Sequence, residues 1–199
     1  MHLDQPFILA SASPRRRELL GRVVDSFVWE EAGVDEDLPQ GCGGREAVVL
    51  LARRKAWAVS ARHGEPCFVL GADTMVELDG RLMGKPRDAG EAAAMLRALS
   101  GRTHRVYTGL CLLHNGAERT ACEVTAVTFA PITEAEIAAN VASGEPMGKA
   151  GGYGIQFSAA AWAVRLDGCY YNVVGLPLAR LRLMLMDMLE EGGDAHAAQ

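Results

Sequence analysis

The segment Ile8-Leu9-Ala10-Ser11-Ala12-Ser13-Pro14-Arg15-Arg16-Arg17-Glu18-Leu19-Leu20 contains a strand, a turn and a helix start in immediate succession. Its apolar beginning, together with Phe7, predicts a short buried strand. Ser13 is typical of a helix N-cap, and Pro14 is typical of the first helical residue, where proline's fixed φ and missing N–H do no harm. A strand that leads directly into a helix is the opening of an α/β fold.

Three arginines fall in the first turn of this helix, where the macrodipole disfavours a cation by roughly 0.3 kcal/mol or more. Free backbone N–H groups, serine hydroxyls and guanidinium groups at one point favour an anion, most plausibly phosphate. The candidate ligands are Ser13, Arg15 and Arg16. The alternative is that the arginines are solvated and the dipole penalty is screened, and the local sequence leaves both interpretations open.

Composition limits the function further. The chain has 199 residues, 49% hydrophobic content and a net charge of −5, which suits one sizeable domain or one domain with two lobes. We expect this single domain to span residues 1–190 and residues 191–199 to form a disordered tail. An acidic chain is a poor partner for a nucleic-acid polymer. The five cysteines include no Cys-x-x-Cys pair, which favours a reducing compartment. The sequence has no apolar run long enough to span a bilayer and no signal-peptide pattern. We therefore expect a cytoplasmic protein without a membrane partner.

The pattern of elements predicts a mixed α/β sheet, with early strand–helix alternation followed by long hairpins. A helix over residues 46–62 would bury Val49, Leu50, Trp57 and Ala61 and leave Lys55 solvated. Capping boxes are predicted at Asp88/Glu91 and Thr133/Glu136. Hairpin turns are predicted at Asp79-Gly80, Asn115-Gly116 and Asp167-Gly168, with strands over Trp162–Leu166 and Cys169–Val174 around the last.

Asp73 follows the apolar run Cys67–Ala72, which predicts a buried strand with a carboxylate at its end. Open α/β sheets bind ligands at the carboxyl ends of their strands, although a turn aspartate that bonds its own backbone would give the same pattern. Lys85 and Lys55 are weak candidates alone, because surface lysines are common. Glu36 lies in an acidic loop that could hold a hard cation or could equally be a solvated surface.

The loop from Gly148 to Gln156 has four glycines in seven residues between Gly148 and Gly154, so its backbone could approach a ligand closely. Tyr153 offers a ring for stacking, and Gln156 offers the donor and acceptor needed to recognise a base edge. A flexible loop is the alternative. With the arginines and lysines, including Lys149, the set fits a nucleotide polyphosphate with Mg²⁺, and no Walker-type phosphate loop is present.

At this point the chain resembles the Maf family of nucleoside triphosphate pyrophosphatases from about Ile8 to Leu189. The resemblance rests on ordered blocks: Leu9–Arg16, Val34–Glu36, Gly71–Thr74, Gly84–Asp88 and Lys149–Gln156. Ser100-Gly101 with Thr103-His104, and Tyr171–Pro177, match as well.

The resemblance implies hydrolysis between the α- and β-phosphates, a divalent cation (Mg²⁺ or Mn²⁺), a homodimer and an elongated, two-lobed ITPase-like α/β fold with a central cleft. It implies that Asp73 is the catalytic acid/base carboxylate, with Lys85 and Glu36 also catalytic and with Glu36 and Asp73 holding the metal. Substrate contacts are implied for Ser13, Arg15, Arg16, Lys55, Thr74, Lys149 and Gln156. The Gly-Tyr-Gly-Ile-Gln segment is similar to that of the members specific for dTTP and UTP.

Three residues depart from the family pattern. Gly148 stands where most members have an aspartate, Asn140 where an aromatic residue is usual, and Phe157 where glycine is common. The loss of a carboxylate at position 148 bears on metal affinity, rate or pH profile. The family's association with septum formation leaves a second hypothesis, that of a nucleotide-binding regulator of cell division with weak or no catalysis.

Overall fold

The computed structural model describes the backbone of residues 1–196 and the side chains of residues 1–190. The elements in chain order are β1 (Phe7–Ala10), α1 (Pro14–Leu20), β2 (Val28–Trp29), α2 (Gly44–Ser60), β3 (Phe68–Leu78), β4 (Arg81–Met83), α3 (Ala89–Leu99), β5 (Thr103–His114), β6 (Ala117–Phe129), α4 (Glu134–Ala142), β7 (Ala163–Asp167), α5 (Tyr170–Val174) and α6 (Leu178–His196). Two 3-10 turns, Ala150–Gly152 and Ser158–Ala161, lie between α4 and β7.

The strands form a seven-stranded mixed sheet in the order β2-β1-β3-β5-β6-β7, with β4 paired to β3. β1 pairs in parallel with β2 and with β3, because helical connections return the chain in the same direction. β3 pairs with β4, and β6 with β7, in the antiparallel sense. The predicted mixed α/β fold class is therefore confirmed.

Two of the three predicted hairpin turns are confirmed. Asp79-Gly80 and Asn115-Gly116 both adopt positive φ at each position, at 50° and 77° in the first turn and 47° and 80° in the second. Such a pair matches the twist of the strands that it joins. The hairpin predicted around Asp167-Gly168 is wrong, because β7 ends at Asp167 and residues Tyr170–Val174 form α5.

The error at α5 has a physical cause. A short apolar run does not distinguish a strand from a buried helical turn. Here Asn172 is fully buried, and its side-chain amide donates to the backbone oxygen of Val106 at 3.0 Å and to Thr125 Oγ1 at 2.9 Å. These bonds fasten the short helix to β5 and β6 through a side chain rather than through a strand ladder.

Helix starts follow the predicted caps. The Ser13 hydroxyl accepts a hydrogen bond from the Arg16 backbone N–H, and Pro14 is the first residue of α1. The Asp88 side chain accepts a hydrogen bond from the Glu91 N–H at 2.8 Å, as predicted for the N-cap of α3. The Glu91 carboxylate accepts from the N–H of Arg87 rather than from that of Asp88, so the capping box is not reciprocal. The reciprocal capping box of α4, between Thr133 and Glu136, is complete.

The chain divides into two compact units. The first consists of Met1–Asp73, Thr108–Glu123 and Gly175–Gln199, and the second of Thr74–Tyr107 and Val124–Val174. The core of the first unit includes Ile8, Ala10, Ala32, Ala52, Ala56, Val59, Val69, Cys111 and Leu113. α6 is described as far as His196, so this helix continues into the segment predicted as a tail, and residues 197–199 lie outside the described part. The single-domain boundary and the cleft stay predictions.

Helix α2 shows a different buried face from the one predicted. Trp57, expected on the apolar side, is 47% exposed, and its indole N–H donates to Glu118 Oε2 at 2.8 Å. The face that is buried carries mostly small residues: Gly44, Ala47, Val48, Leu51, Ala52, Lys55, Ala56 and Val59. The prediction was wrong because it gave most weight to the large side chains.

Two glycines in the strands explain this choice of face. A Cβ on Gly71 of β3 would lie 2.1 Å from the backbone oxygen of Ala52, and one on Gly109 of β5 would lie 2.3 Å from that of Val48. The helix backbone therefore rests directly on the sheet at both points. Only small residues fit between two backbones at this separation, so the alanine face of α2 is the one that packs.

Candidate active site

The close packing of α2 on β3 brings Lys55 to Asp73. The Lys55 ammonium lies 2.6 Å from Asp73 Oδ1 and 2.6 Å from Glu36 Oε1. Side chains alternate along a strand, so Asp73 faces the same side as Gly71, the side on which α2 rests. The structure thus brings together three predicted site residues, and the expectation that Lys55 is a solvated helix lysine is wrong.

Burial distinguishes this group from a surface salt bridge. The side chains of Lys55 and Asp73 are 10% and 7% exposed, whereas that of Glu36 is 43% exposed. A buried ammonium needs a paired charge, and here it has two. The formal charges of the three groups sum to −1, and the more exposed carboxylate is that of Glu36.

Asp73 does not lie at the end of a strand. β3 runs without interruption from Phe68 to Leu78, so Asp73 sits within it, and both the strand-end and the turn interpretations are wrong. The polar Asp-Thr pair resembled a break in the apolar pattern. The ion pair with Lys55 accounts for a charged side chain at a buried strand position.

The arginines of α1 have different surroundings. Arg16 donates from Nε to the backbone oxygen of Gly175 at 2.9 Å and from a terminal nitrogen to Ser11 Oγ at 3.3 Å. Arg17 lies over the ring of Trp29 at 4.2 Å, a cation–π contact. Arg15 forms no hydrogen bond or ion pair with any described residue, so its donors remain available to a ligand.

Electrostatics links α1 to the Lys55 group. Burial lowers the pKa of the Arg16 guanidinium from its ordinary value, while the charges of Asp73 and Glu36 raise it and that of Arg15 lowers it further. Burial also lowers the pKa of Arg15. Both guanidinium groups remain charged at neutral pH. The first unit therefore combines two desolvated cations, helix N–H groups and a carboxylate pair within mutual electrostatic reach.

The carboxylates of Glu36 and Asp73 offer oxygen donors of the kind that a hard divalent cation takes. Both contact the same nitrogen, so their oxygens converge on one point. Among the described residues, no group of three histidine, cysteine or acidic side chains is arranged to hold a metal. Mg²⁺ commonly needs only one or two carboxylates when substrate phosphates and water complete its coordination. The residues present therefore fit Mg²⁺ bound together with a phosphorylated ligand.

The remaining predicted site residues belong to the second unit. Thr74 follows Asp73 in β3, and Lys85 is exposed in the segment after β4. The Lys149 ammonium donates to the backbone oxygen of Glu145 and lies 5.3 Å from the ring centroid of Phe157. The Gln156 side-chain oxygen is buried and accepts no hydrogen bond from any described residue.

Tyr153 does not offer its ring to a ligand, contrary to the sequence interpretation. It is 6% exposed and packs edge-to-face against His104 and Phe129. The glycine-rich loop is also less free than predicted, since the Gly151 N–H donates to the backbone oxygen of Gly84 at 3.0 Å. A Cβ at Gly151 would meet Val76 at 2.8 Å, so this glycine serves close packing.

The three departures from the family pattern lie around the same loop. Asn140 donates from its side-chain nitrogen to Glu145 Oε2 at 3.2 Å, and the Ser158 hydroxyl donates to the same oxygen. Phe157 is 48% exposed beside the Lys149 ammonium. Gly148 has a φ of 71° and open space around its Cα, so nothing packed against it replaces the missing carboxylate.

Comparison with known proteins identifies the family. The family model described as "Maf-like protein" matches residues 6–188. The chain belongs to the Maf family. It is 49% identical over 197 residues to a protein of Salinibacter ruber named dTTP/UTP pyrophosphatase, covering 96% of each chain. It is 52% identical over 180 residues to a protein of the same name from Pelotomaculum thermopropionicum, covering 89% of this chain and 94% of that one.

Solved structures show weaker likeness to this Maf protein. A HAM1 protein from Coxiella burnetii has 18% identity and a TM-score of 0.47, covering 92% of this chain and 99% of that one. A nucleoside-triphosphatase / dITP/XTP pyrophosphatase from Mycobacterium abscessus has 18% identity and a TM-score of 0.41, covering 64% and 75%. No helix among the described residues of this Maf protein has the length and apolar character needed to cross a membrane.

The sequence interpretation missed the two residues whose oxygens accept hydrogen bonds from the Arg16 side chain. Ser11 lies in the opening motif but was not singled out, although its hydroxyl accepts from Arg16. Gly175 contributes only its backbone oxygen, and because every residue has one, the residue type does not indicate this contact. The single available signal for Gly175 was its place in the matching block Tyr171–Pro177.

Proposed function

We propose that this chain hydrolyses nucleoside triphosphates, with dTTP and UTP preferred, between the α- and β-phosphates to give a nucleoside monophosphate and pyrophosphate. The observation that carries the proposal is the buried Asp73–Lys55 pair, with Glu36 on its exposed side, beside the arginines of α1. Relatives at 49% and 52% identity bear the name dTTP/UTP pyrophosphatase, which favours this function over a non-catalytic regulator.

The arginine side of the site suits a triphosphate. Arg15 and the N–H groups at the start of α1 offer donors to phosphate oxygens, and Ser13 closes the same turn as its cap. Arg16, held by Gly175 and Ser11, contributes a fixed positive charge. In a desolvated site such charges stabilise the negative charge of phosphoryl transfer more strongly than they would in water.

Asp73 is assigned the acid/base role. Water attack on phosphorus requires that the water loses a proton while the anhydride oxygen leaves with the bonding electrons. Asp73 is the buried carboxylate that can receive this proton, and Lys55 fixes its orientation through one oxygen. Glu36 holds the other contact of Lys55 and is exposed enough to move toward a ligand.

A divalent cation, Mg²⁺ or Mn²⁺, would be held by Glu36 and Asp73 together with the phosphates. Bound there, it would offset the phosphate charge and polarise the attacking water. Lys85 and Lys149 are proposed as further partners of the phosphates, and Lys85 is assigned a catalytic role in neutralising the leaving pyrophosphate. Thr74 and Gln156 are proposed to select the nucleotide, with Gln156 facing the base edge.

The proposal includes a cytoplasmic location, free nucleotides rather than nucleic acid or membranes as partners, and a homodimer. The last of these rests on the family resemblance. Light scattering of the purified chain measures the oligomeric state directly, and a monomer at micromolar concentration would contradict the dimer.

A nucleotide panel tests the reaction. The chain is incubated with dTTP, UTP, CTP, dATP, GTP and 7-methyl-GTP in the presence of Mg²⁺, and products are separated by ion exchange. We expect monophosphate and pyrophosphate, in equal amounts, from dTTP and UTP in preference to the others. Diphosphate with orthophosphate would refute the assigned bond, and no product from any nucleotide would refute the proposed function.

Asp73→Asn tests the assigned base while keeping the size of the side chain. We expect kcat to fall by about 10²-fold or more, the usual scale for loss of an acid/base group. Asp37→Asn, in the exposed acidic loop, is the matched control and should retain activity. Near-native turnover in Asp73→Asn would remove this residue from the acid/base role.

A further inference from the structure

Two buried polar side chains of the second unit have no role in the chemistry above. His104 on β5 is 2% exposed, and Tyr153 in the glycine-rich loop is 6% exposed. The His104 Nε2 and the Tyr153 hydroxyl are 2.7 Å apart, within hydrogen-bonding distance. Both rings pack edge-to-face with Phe129, at centroid distances of 4.9 Å. The hydrogen bond is therefore enclosed by aromatic surface.

The surroundings keep both groups neutral. Burial lowers the pKa of His104 to about 4 and raises that of Tyr153 well above its ordinary value. The other ring nitrogen of His104, Nδ1, has no hydrogen-bond partner among the described residues. The bond to Tyr153 is thus the polar contact that fixes the imidazole, and an apolar pair of similar shape would fill this space without an unpartnered nitrogen. The His–Tyr pair therefore adds a directional contact at this position that an apolar pair would lack.

Backbone contacts hold the loop before Tyr153, since the Gly151 N–H donates to the backbone oxygen of Gly84 at 3.0 Å. Gly148, Gly151 and Gly152 adopt φ values of 71°, 69° and 73°, a conformation that glycine reaches at no steric cost. Ile155 is also buried, but its apolar side chain makes no directional bond. Tyr153 follows Lys149 by four residues and precedes Gln156 by three. Its hydroxyl and that of Ser158, which donates to Glu145 Oε2, are the side-chain hydrogen bonds on either side of Gln156, and the Tyr153 bond is the one on the N-terminal side.

Gln156 needs such a restraint if it is to discriminate between bases. A side-chain amide carries a donor at one end and an acceptor at the other, so a freely rotating glutamine pairs equally well with uracil or cytosine edges. Uracil and thymine present an N3–H donor, whereas cytosine presents an N3 acceptor. In the structure the Gln156 oxygen is the buried, unpartnered end, which suits an N–H donor.

We infer that His104 and Tyr153 form a positioning pair that fixes the orientation of Gln156 and thereby makes the site prefer uracil and thymine over cytosine. The pair does not touch the nucleotide. It acts through the loop, as the side-chain anchor on the N-terminal side of Gln156. This inference deepens the proposed function and rests on it for the role of Gln156.

Tyr153→Phe removes the hydroxyl and keeps the ring, and His104→Gln keeps a polar group while removing the aromatic geometry. Thr103→Val is the matched control. It removes the hydroxyl that lies 2.8 Å from Thr128 Oγ1, an exposed side-chain hydrogen bond at the position next to His104 on the same strand. For each chain we would measure kcat/KM for UTP and for CTP, amide hydrogen exchange of residues 148–157, and the thermal midpoint.

We expect the UTP/CTP ratio to fall roughly three- to tenfold in Tyr153→Phe, the scale of one lost hydrogen bond. The change should appear mainly in KM for UTP, with faster exchange of loop amides, and the control should match the native chain. His104→Gln should give the same direction. A native ratio and native exchange in Tyr153→Phe would overturn the inference, and this variant decides the matter if His104→Gln does not fold.

Failure of the proposed function would look different. In that case the native chain itself releases no pyrophosphate from either nucleotide. In that case the preference for UTP over CTP is measured by calorimetry, as the ratio of the two dissociation constants. A ratio that is equal in native and Tyr153→Phe chains, or a native chain that binds neither nucleotide, would overturn the inference.

Discussion

Replacing Lys55 by methionine removes the ammonium group shared by Asp73 and Glu36 and keeps an unbranched stem of similar length. The two carboxylates that contacted it at 2.6 Å would then face each other without a cation between them. Breaking a buried ion pair by removing one partner costs about 3 to 5 kcal/mol. Because the Glu36 side chain is 43% exposed and water screens it, we expect the lower end, about 3 kcal/mol.

Urea denaturation and calorimetry at pH 7 measure this loss. For a chain of this size, about 3 kcal/mol corresponds to a fall of roughly 6 to 12 °C in the thermal midpoint. Arg53→Met on the same helix is the control, since Arg53 pairs with Glu118 at the surface and such pairs contribute less than about 1 kcal/mol. If Lys55→Met loses no more stability than Arg53→Met, the argument that this ion pair is desolvated is wrong.

The same variant tests the metal assignment. Two carboxylates relieved of an ammonium should bind a divalent cation more strongly, and a ligand bound only to the folded state raises its stability. Mn²⁺ should therefore raise the thermal midpoint of Lys55→Met more than that of the native chain. Equal shifts in both chains would remove Glu36 and Asp73 from the metal site.

Three further predictions concern other parts of the molecule. In Arg15→Ala, KM for UTP should rise about tenfold with a smaller change in kcat, because a charged hydrogen-bond donor to phosphate is lost, and unchanged kinetics would take Arg15 out of the site. Gly71→Ala should destabilise the chain by about 1 to 3 kcal/mol or more through overlap with α2, whereas Gly64→Ala meets nothing within 4 Å and should not; equal urea midpoints would contradict this packing. The pKa of His104, about 4 in the folded chain against an ordinary value of 6.5, means that the unfolded chain takes up the proton first as the pH falls. The free energy of unfolding should therefore drop by up to about 3 kcal/mol between pH 6.5 and 4, and His104→Phe should lack this component in urea denaturation at the two pH values.

The sequence was most informative where a few neighbouring residues decide the conformation. Ser13 and Pro14 specify a helix start through their own backbone preferences, and Asn115-Gly116 specifies a tight turn in the same way. The resemblance to the Maf family likewise depended on short local blocks, and the family model bears it out. Fold class and family were therefore predictable before any contact was known.

Burial was the harder quantity to predict. Lys55 is buried because two glycines on the neighbouring strands β3 and β5 let α2 approach the sheet, and no pattern within the helix indicates this. Tyr153 is buried because His104 of β5 and Phe129 of β6 pack against it. In both cases the partner lies far along the chain, and residue type alone favoured the more exposed interpretation.

The hydrogen bond from Arg16 to Gly175 has a consequence for synthesis of the protein on the ribosome. Its two ends are 159 positions apart, and the first unit takes its segments from the beginning, the middle and the end of the chain. α1, which carries Arg16, is among the first parts of the chain to emerge, whereas Gly175, whose carbonyl oxygen accepts the hydrogen bond, is translated near the end. The hydrogen bonds that hold Arg16 can therefore form fully only after Gly175 has left the exit tunnel, and a chain terminated earlier lacks this contact.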